Sequence, residues 1–428
     1  MSEKSKINVV TLGCPKNLVD SEYLLGQLKY NHVQLVESAD DADTVIINTC
    51  GFIKDAKQES IDAILEAVER KNRGELKKII VMGCLSERFK KELSAEIPEV
   101  DSFFGTNQLR EVLRDLGVNY KQELLGERVL TTPSHVAYLK ISEGCDNPCS
   151  FCAIPLMRGL HRSKPSEEIV HEARLLAGKG VKELIVIAQD TTCYGLDLYG
   201  ERRLATLLGE LNGIDGIEWI RLMYAYPAKF PLDVIDAFQK YHKLCRYIDM
   251  PIQHCSDSVL KSMRRGITGR STRELLLRLK NDIPNIALRT TLIVGYPNET
   301  EDDFKELCDF VREMRFHRLG VFTYSKEEGT ASYDLGDPIP ESVKQDRQAE
   351  IMEIQKNISE HHNESLIGKT MNIIIDAHEG EFFLGRTEWD APEIDQEVYV
   401  RSRYPLKTGT FHSVTFTDAM EYDLFASL

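Results

Sequence analysis

The 428-residue chain has no apolar run long enough to cross a membrane. Its longest, such as residues 184–188, fall far short of the roughly 20 residues a membrane helix needs. The opening residues, Met1 to Asn8, lack an apolar core and a small-residue cleavage site, so no secretory leader is expected and a cytoplasmic location is. Basic residues are not in excess: 53 Lys and Arg stand against 68 Asp and Glu, a net charge of −15. That balance argues against a protein that wraps nucleic acid in a general basic surface, and favours a basic partner or simple solubility. Internal repeats and low-complexity tracts are also missing. What remains, 42% apolar and 28% charged residues, is the profile of an ordinary globular protein. The length predicts roughly two to four domains.

Cysteine is present in quantity, with ten residues. Structural disulfides are rare in a reducing compartment, so these thiols read as metal ligands, catalytic groups or packing residues.

Short apolar strands are expected at 7–12, 44–48 and 78–82. They alternate with a helix beginning near Val19 that buries Leu24, Leu25 and Leu28, and one over 57–71 with Ile61, Ile64, Leu65 and Val68 on one face. This rhythm predicts an α/β unit with a doubly wound parallel sheet. A polar connector runs through 117–135. A second series follows, with strands at 137–141, 183–188, 219–223, 247–250, 287–294 and 319–323 and helices such as 166–179 and 271–281. Six strand–helix units suggest a partial (β/α)6 barrel, since a full eight-unit barrel takes about 250 residues. A long helix over 341–365 places Val343, Ile351, Ile354 and Ile358 on one face. Short runs at 371–375, 382–384, 397–401 and 413–417 then read as a small antiparallel β-barrel. The expected domains are 5–120, 131–365 and 366–428.

Cys145-Asp-Asn-Pro-Cys149-Ser-Phe-Cys152 places three thiols on one short loop after the first strand of the second unit. Such a triplet can hold three corners of a cubane iron–sulfur cluster and leave the fourth iron open. A structural zinc site is the alternative, but no fourth Cys or His stands at finger spacing. A second triplet is dispersed: Cys14, Cys50 and Cys84 each follow one strand of the first unit, beside Gly13, Gly51 and Gly83. Ligands of open parallel sheets bind beyond the carboxyl ends of the strands, so these thiols should converge. The alternative is three unrelated buried thiols. Of the other four, Cys193, Cys245, Cys255 and Cys308, Cys308 falls in a helix pattern, Cys193 and Cys255 lie just past strand ends, and packing is favoured for all four.

These residues resemble the methylthiotransferases of the radical S-adenosylmethionine superfamily, which carry an N-terminal cluster domain, a radical core and a small β-barrel called TRAM. The likeness spans nearly the whole chain. It rests on Leu12-Gly-Cys-Pro-Lys-Asn-Leu-Val-Asp-Ser-Glu22, Asn48-Thr-Cys-Gly-Phe-Ile53, Glu143-Gly-Cys-Asp-Asn-Pro-Cys149, Ala188-Gln-Asp-Thr-Thr192 and Arg289-Thr-Thr-Leu-Ile-Val-Gly-Tyr-Pro297. Within the family it is similar to the branch that modifies an aspartate of small-subunit ribosomal protein twelve. The sister branch, which modifies adenosine in tRNA, typically has Gln-Met where this chain has Pro15-Lys16.

The resemblance implies two 4Fe–4S clusters, on Cys14/Cys50/Cys84 and on Cys145/Cys149/Cys152. One S-adenosylmethionine would yield a 5′-deoxyadenosyl radical that takes a hydrogen from the aspartate β-carbon; a second would supply the methyl group. The same resemblance implies cofactor contacts from Phe151, Gln189, Asp190, Gln253, Arg289, Gly295 and Pro297, though a polar residue at a strand end is often only a cap. Arg264 and Arg265 could equally be solvated helix ends. The implied partners are the ribosomal protein, free or in the ribosome, an electron donor and a sulfur donor; no membrane and no RNA chemistry are expected. A non-catalytic iron–sulfur carrier is a further alternative, but it gives the six-unit barrel no task.

From Gly368 onward five basic residues face eleven acidic ones, a net −6. A module of that charge should repel RNA and attract a basic protein; a solvated acidic face without a partner is the plainer reading.

Overall fold

The computed structural model describes residues 5–428; the first four residues of the stretch read above as free of a leader lie outside the described residues. Strands β1 (Lys6–Thr11), β2 (Gln34–Leu35), β3 (Thr44–Thr49), β4 (Lys78–Gly83) and β5 (Ser102–Phe103) form one sheet in the order β2–β1–β3–β4–β5, parallel throughout. All six residues of β3 are buried, as a central strand covered on both faces requires. The two edge strands escape a reading of the sequence because each is only two residues long. The strand order switches between β1 and β3, and Cys14 and Cys50 follow these two strands. That is the crevice where ligands of such sheets sit. Helix Lys54–Asn72 buries Ile64, Ala67 and Val68, but Leu65, expected on the same face, is exposed. One residue beyond Ile64, it is turned about 100° round the helix.

The central sheet begins with β6 (Val136–Lys140). A ribbon of β7 (Ser142–Glu143) and β8 (Arg162–Ser163) brackets the Cys145 loop. Strands β9 (Glu183–Ile187), β10 (Trp219–Leu222), β11 (Leu244–Asp249), β12 (Ala287–Val294) and β13 (Arg318–Thr323) complete a six-stranded parallel sheet in the order β13–β12–β11–β10–β9–β6, the expected partial barrel. One apolar cluster joins Ile185, Ile187, Tyr247 and Ala287 of these strands, and Met223 just past β10, to Val19, from helix Pro15–Tyr30, and to Ala391, from the C-terminal unit. Helix Glu341–Glu364 packs on β13 and links the core to the last unit.

Strands β14 (Thr370–Glu379), β15 (Phe382–Thr387), β16 (Val398–Arg401), β17 (Phe411–Ala419) and β18 (Leu424–Ser427) close a small barrel in the order β14–β15–β16–β18–β17. Its pairs are antiparallel except β16 with β18, which is parallel. The parallel pair arises because β17 crosses to pair with β14 and β18 then returns beside β16.

The charge of this barrel is not all presented to solvent. Asp390 is bound by Arg318, Asp395 by Arg289 at 3.3 Å and by the Tyr247 hydroxyl at 2.7 Å, and Asp376 by Arg386 at 2.6 Å and His135 at 2.7 Å. Arg386 also reaches Glu183 at 2.8 Å, which takes a second arginine, Arg221, at 2.7 Å. Buried charges persist only when paired in this way. Part of the acidic excess therefore docks the barrel onto the core.

Candidate functional site

Cys14 is the N-cap of helix Pro15–Tyr30, Cys50 follows β3, and Cys84 opens helix Cys84–Glu96. The glycines beside them are demanded by space. A Cβ on Gly13, at φ +86°, would lie 2.6 Å from Cys50 Cβ and 2.9 Å from its sulfur. One on Gly51 would meet the Leu85 backbone at 2.8 Å, and one on Gly83, at φ +99°, would meet Asn48 Oδ1 at 2.4 Å. Asn17 ties the strand ends together, its amide donating to Leu12 O at 2.9 Å and Thr49 O at 3.0 Å. The three sulfurs share one electrostatic environment. Burial pushes the Cys84 thiol up to about 12, with Cys14 and Cys50 raising it further and Arg158 pulling it down.

The second triplet lies on the loop after β7. A Cβ on Gly144, at φ +78°, would collide with Leu160 O at 2.1 Å, so the loop turns here only with glycine. Burial raises Cys145 to about 11 and Cys152 to about 12, and the Cys149 charge adds to both. Each triplet receives a buried arginine: Arg158 Nε donates to Cys84 Sγ at 3.3 Å, and Arg265 donates to Cys149 Sγ at 3.3 Å. Arg265 is buried, not a solvated helix end, and stacks 4.2 Å from the Tyr226 ring; Arg264 is exposed.

A single ion needs three donors around one point, and among the described residues no such group of Cys, His, Asp or Glu exists. A cubane takes one thiolate at each of three separate irons. Two triplets of thiols, the members of each feeling one another's charge and each with an arginine beside it, fit that demand.

The other sequence-predicted residues divide. Gln189 donates to Glu143 Oε1 at 2.6 Å and leaves its own buried carbonyl oxygen unpartnered; Gln253, at φ +74°, leaves its oxygen unpartnered too. Phe151 packs against Val259, Met263, Tyr296 and Tyr324. Gly295 holds φ +74° and donates to Glu299 Oε2 at 2.8 Å, with Pro297 in the same turn. Asp190 is buried and occupied within the protein, taking Asn147 at 2.7 Å, Thr192 at 2.6 Å and Cys193 at 3.2 Å. Arg289 is held between Asp249 at 2.8 Å and Asp395 at 3.3 Å. Cys255 and Cys308 belong to the apolar core, and Cys245 is buried.

Sequence reasoning missed Arg158. It also gave no role to Lys16, which is buried to 7% exposure with its ammonium 2.9 Å from the centroid of the Tyr224 ring. Burial lowers Lys16 to about 8, with Cys14 and Asp249 acting in the opposite sense. Both residues stand near cysteines in the sequence, but only the fold brings Arg158 to Cys84 and Lys16 to Tyr224.

The chain matches the Radical SAM superfamily over residues 139–311, the TRAM domain over 367–428 and Uncharacterized protein family UPF0004 over 6–105. Among solved structures it is similar to the radical S-adenosylmethionine methyltransferase TsrM from Kitasatospora setae (TM-score 0.59, 12% identity, 88% of this chain and 79% of that one). It is also similar to the cobalamin-dependent radical enzyme OxsB (TM-score 0.53, 14% identity, 82% and 56%). These likenesses concern the fold. Fold and sequence together define a radical S-adenosylmethionine enzyme with a TRAM barrel. Curated relatives share about half their residues with it along the full length. One from Christiangramia forsetii is 54% identical over 99% of this chain and 94% of its own, and one from Cytophaga hutchinsonii 53% over 100% and 98%. One from Bacteroides thetaiotaomicron is 50% identical over 100% and 99%. All three are named ribosomal protein uS12 methylthiotransferase RimO, and the chain belongs to that family.

Proposed function

We propose that this chain attaches a methylthio group to the β-carbon of an aspartate of ribosomal protein uS12, using S-adenosylmethionine and two 4Fe–4S clusters. The observation that carries the reading is full-length identity of about one half with uS12 methylthiotransferases. It does not favour the tRNA-modifying alternative. The units 5–120, 131–365 and 366–428 act as cluster domain, radical core and TRAM barrel.

Cys14, Cys50 and Cys84 would hold one cluster, and Cys145, Cys149 and Cys152 the other. When bound, these groups supply reductive cleavage of S-adenosylmethionine at one site and a sulfur to be methylated at the other. The thiols bind as thiolates, so loading releases their protons; Arg158 and Arg265, donating to Cys84 and Cys149, balance the charge that results. The open carbonyl oxygens of Gln189 and Gln253 can accept from the cofactor's ammonium or hydroxyl groups. Phe151, Gly295 and Pro297 would shape its pocket. Asp190 anchors the cysteine loop to the end of β9 through Asn147, and Arg289 braces the TRAM barrel beneath the core.

Electron and sulfur donors are required partners, and the cytoplasm, where uS12 is made and assembled, is the proposed location. No helix is long and apolar enough to cross a membrane among the described residues. The test is mass spectrometry of uS12 and of bulk tRNA from cells with and without this chain. Loss of the methylthio group from uS12 is expected; loss of methylthio-adenosine from tRNA, with uS12 unchanged, overturns the proposal.

A further inference from the structure

The Lys16 ammonium is an unpaired buried charge. It makes no hydrogen bond or ion pair with any described residue; it lies over the face of Tyr224, within the field of Cys14, Asp249, Arg158 and Glu143. Burying an ammonium without an anion is costly, and a ring face offsets only part of that. Of the acidic groups in its field, Cys14 belongs to the N-terminal triplet, and the two carboxylates are already committed. Asp249 takes Arg289 at 2.8 Å and the Tyr224 backbone N–H at 3.1 Å. Glu143 takes Lys140 at 2.7 Å, Arg158 at 3.2 Å and Gln189 at 2.6 Å.

Its position is equally specific. Lys16 lies two residues from Cys14, on the helix that docks against the barrel, while Tyr224 lies two residues past the end of β10. Tyr224 is at φ +59°, a conformation that an aromatic residue adopts only under constraint. The ammonium thus stands where the N-terminal triplet meets the carboxyl-end face of the core.

We propose that Lys16 takes the side-chain carboxylate of the target aspartate; this rests on the uS12 reading above. In aspartate the β-carbon is bonded directly to the carboxylate carbon, so gripping the carboxylate holds the reacting C–H beside the N-terminal triplet, at the carboxyl-end face of the core. A lysine is also able to tell aspartate from asparagine. The carboxylate cancels the buried charge, whereas the amide offers only a neutral oxygen.

The test uses reconstituted enzyme with S-adenosylmethionine and peptides spanning each aspartate of uS12, in aspartate and asparagine forms. Wild type should bind the aspartate form of the target peptide ~10–100-fold more tightly than the asparagine form, the range for a charge-assisted hydrogen bond in a dry site. Lys16→Met should bind the two forms alike, and Lys16→Arg should restore part of the preference. If Lys16→Met does not fold, Lys16→Gln, which keeps length and loses charge, replaces it. A charge-free variant that retains the wild-type preference overturns the assignment, as does a wild type that modifies uS12 yet binds both forms equally. A wild type that adds no methylthio group to uS12 overturns the parent reading, a separate result read on the unmutated enzyme.

Discussion

Arg158 and Cys84 meet across the seam between the N-terminal sheet and the core, the guanidinium Nε donating to the sulfur at 3.3 Å. The same guanidinium reaches Asp20 at 2.6 Å and Glu143 at 3.2 Å. Arg158 ends the short helix Ile154–Arg158, which follows the second cysteine triplet directly. One side chain therefore fixes the spacing between the two triplets.

Arg158→Met should leave Asp20 and Glu143 with Lys140 as their shared cation. A buried charge left wholly unpaired costs ~3–5 kcal/mol; with Lys140 retained, chemical denaturation of the purified chain should show a smaller loss, ~1–3 kcal/mol. Arg158→Lys should recover only part of it, because an ammonium lacks the planar fork that serves Cys84, Asp20, Glu143 and Asn17. Equal stability of Arg158→Met and wild type would refute the clamp.

Gly13→Ala isolates the first triplet. The added methyl would lie within 3 Å of both Cys50 carbon and sulfur, in a backbone conformation that costs ~1–2 kcal/mol for an L-residue. Its close contacts are with Cys50, with Asn17 at an ordinary 3.6 Å, both far in sequence from the Cys145 loop. Reconstituted Gly13→Ala should hold about half the iron of wild type, since one of two clusters is lost. It should still cleave S-adenosylmethionine to 5′-deoxyadenosine while failing to modify uS12. Full iron occupancy would count against the placement of this cluster.

The six strands of the core and the three long strands of the first sheet were legible because buried parallel strands write continuous apolar runs into the sequence. The candidate cysteines carry their own signals: spacing for Cys145, Cys149 and Cys152, and places after three strands for Cys14, Cys50 and Cys84. The cations beside them carry none. Arg158 and Lys16 look like ordinary solvated charges, and only tertiary docking shows one bound to Cys84 and the other buried against Tyr224. The acidic count of the C-terminal barrel misled in the same way: Asp390 and Asp395 read as surface charge and are instead ion-paired beneath the core.

Glu299 gives a pH signature. Burial lifts its carboxyl to about 7, although Arg347 stands 2.7 Å away and pulls the other way. His254, 3.7 Å from the same carboxyl, is lowered from 6.5 to about 4 by burial, which gives an opposite slope between those values in wild type and in Glu299→Gln alike. At Glu299 the native state binds more protons than the unfolded chain between the ordinary value of 4.5 and about 7, so its contribution to stability falls as pH rises through that window. Glu299→Gln removes the titration. Its melting temperature should decline less than wild type's between pH 5 and 7, a difference worth ~1–3 kcal/mol. Parallel slopes would show that Glu299 ionises normally.

The outer face of the TRAM barrel carries the remaining acidic excess. Phe382, Tyr399 and Phe425 form a patch with ring centroids 5.4–5.9 Å apart, beside exposed Glu379, Glu381 and Glu397. Asp423 and Glu379 raise the Glu397 carboxyl after burial has done so, which marks like charges crowded together. Crowding of this kind opposes folding, so reversing it to Glu379→Lys, Glu381→Lys and Glu397→Lys should not destabilise the barrel. Reversing Asp390 or Asp395 would break the docking pairs and test nothing about a partner. If the patch steers a basic target, the triple variant should associate with uS12 ~10-fold more slowly at low salt. The difference should vanish at high salt, where the Debye length shrinks to a few ångströms. Stopped-flow association at two ionic strengths measures both effects, and an unchanged rate at low salt would leave the acidic face with no role in capture.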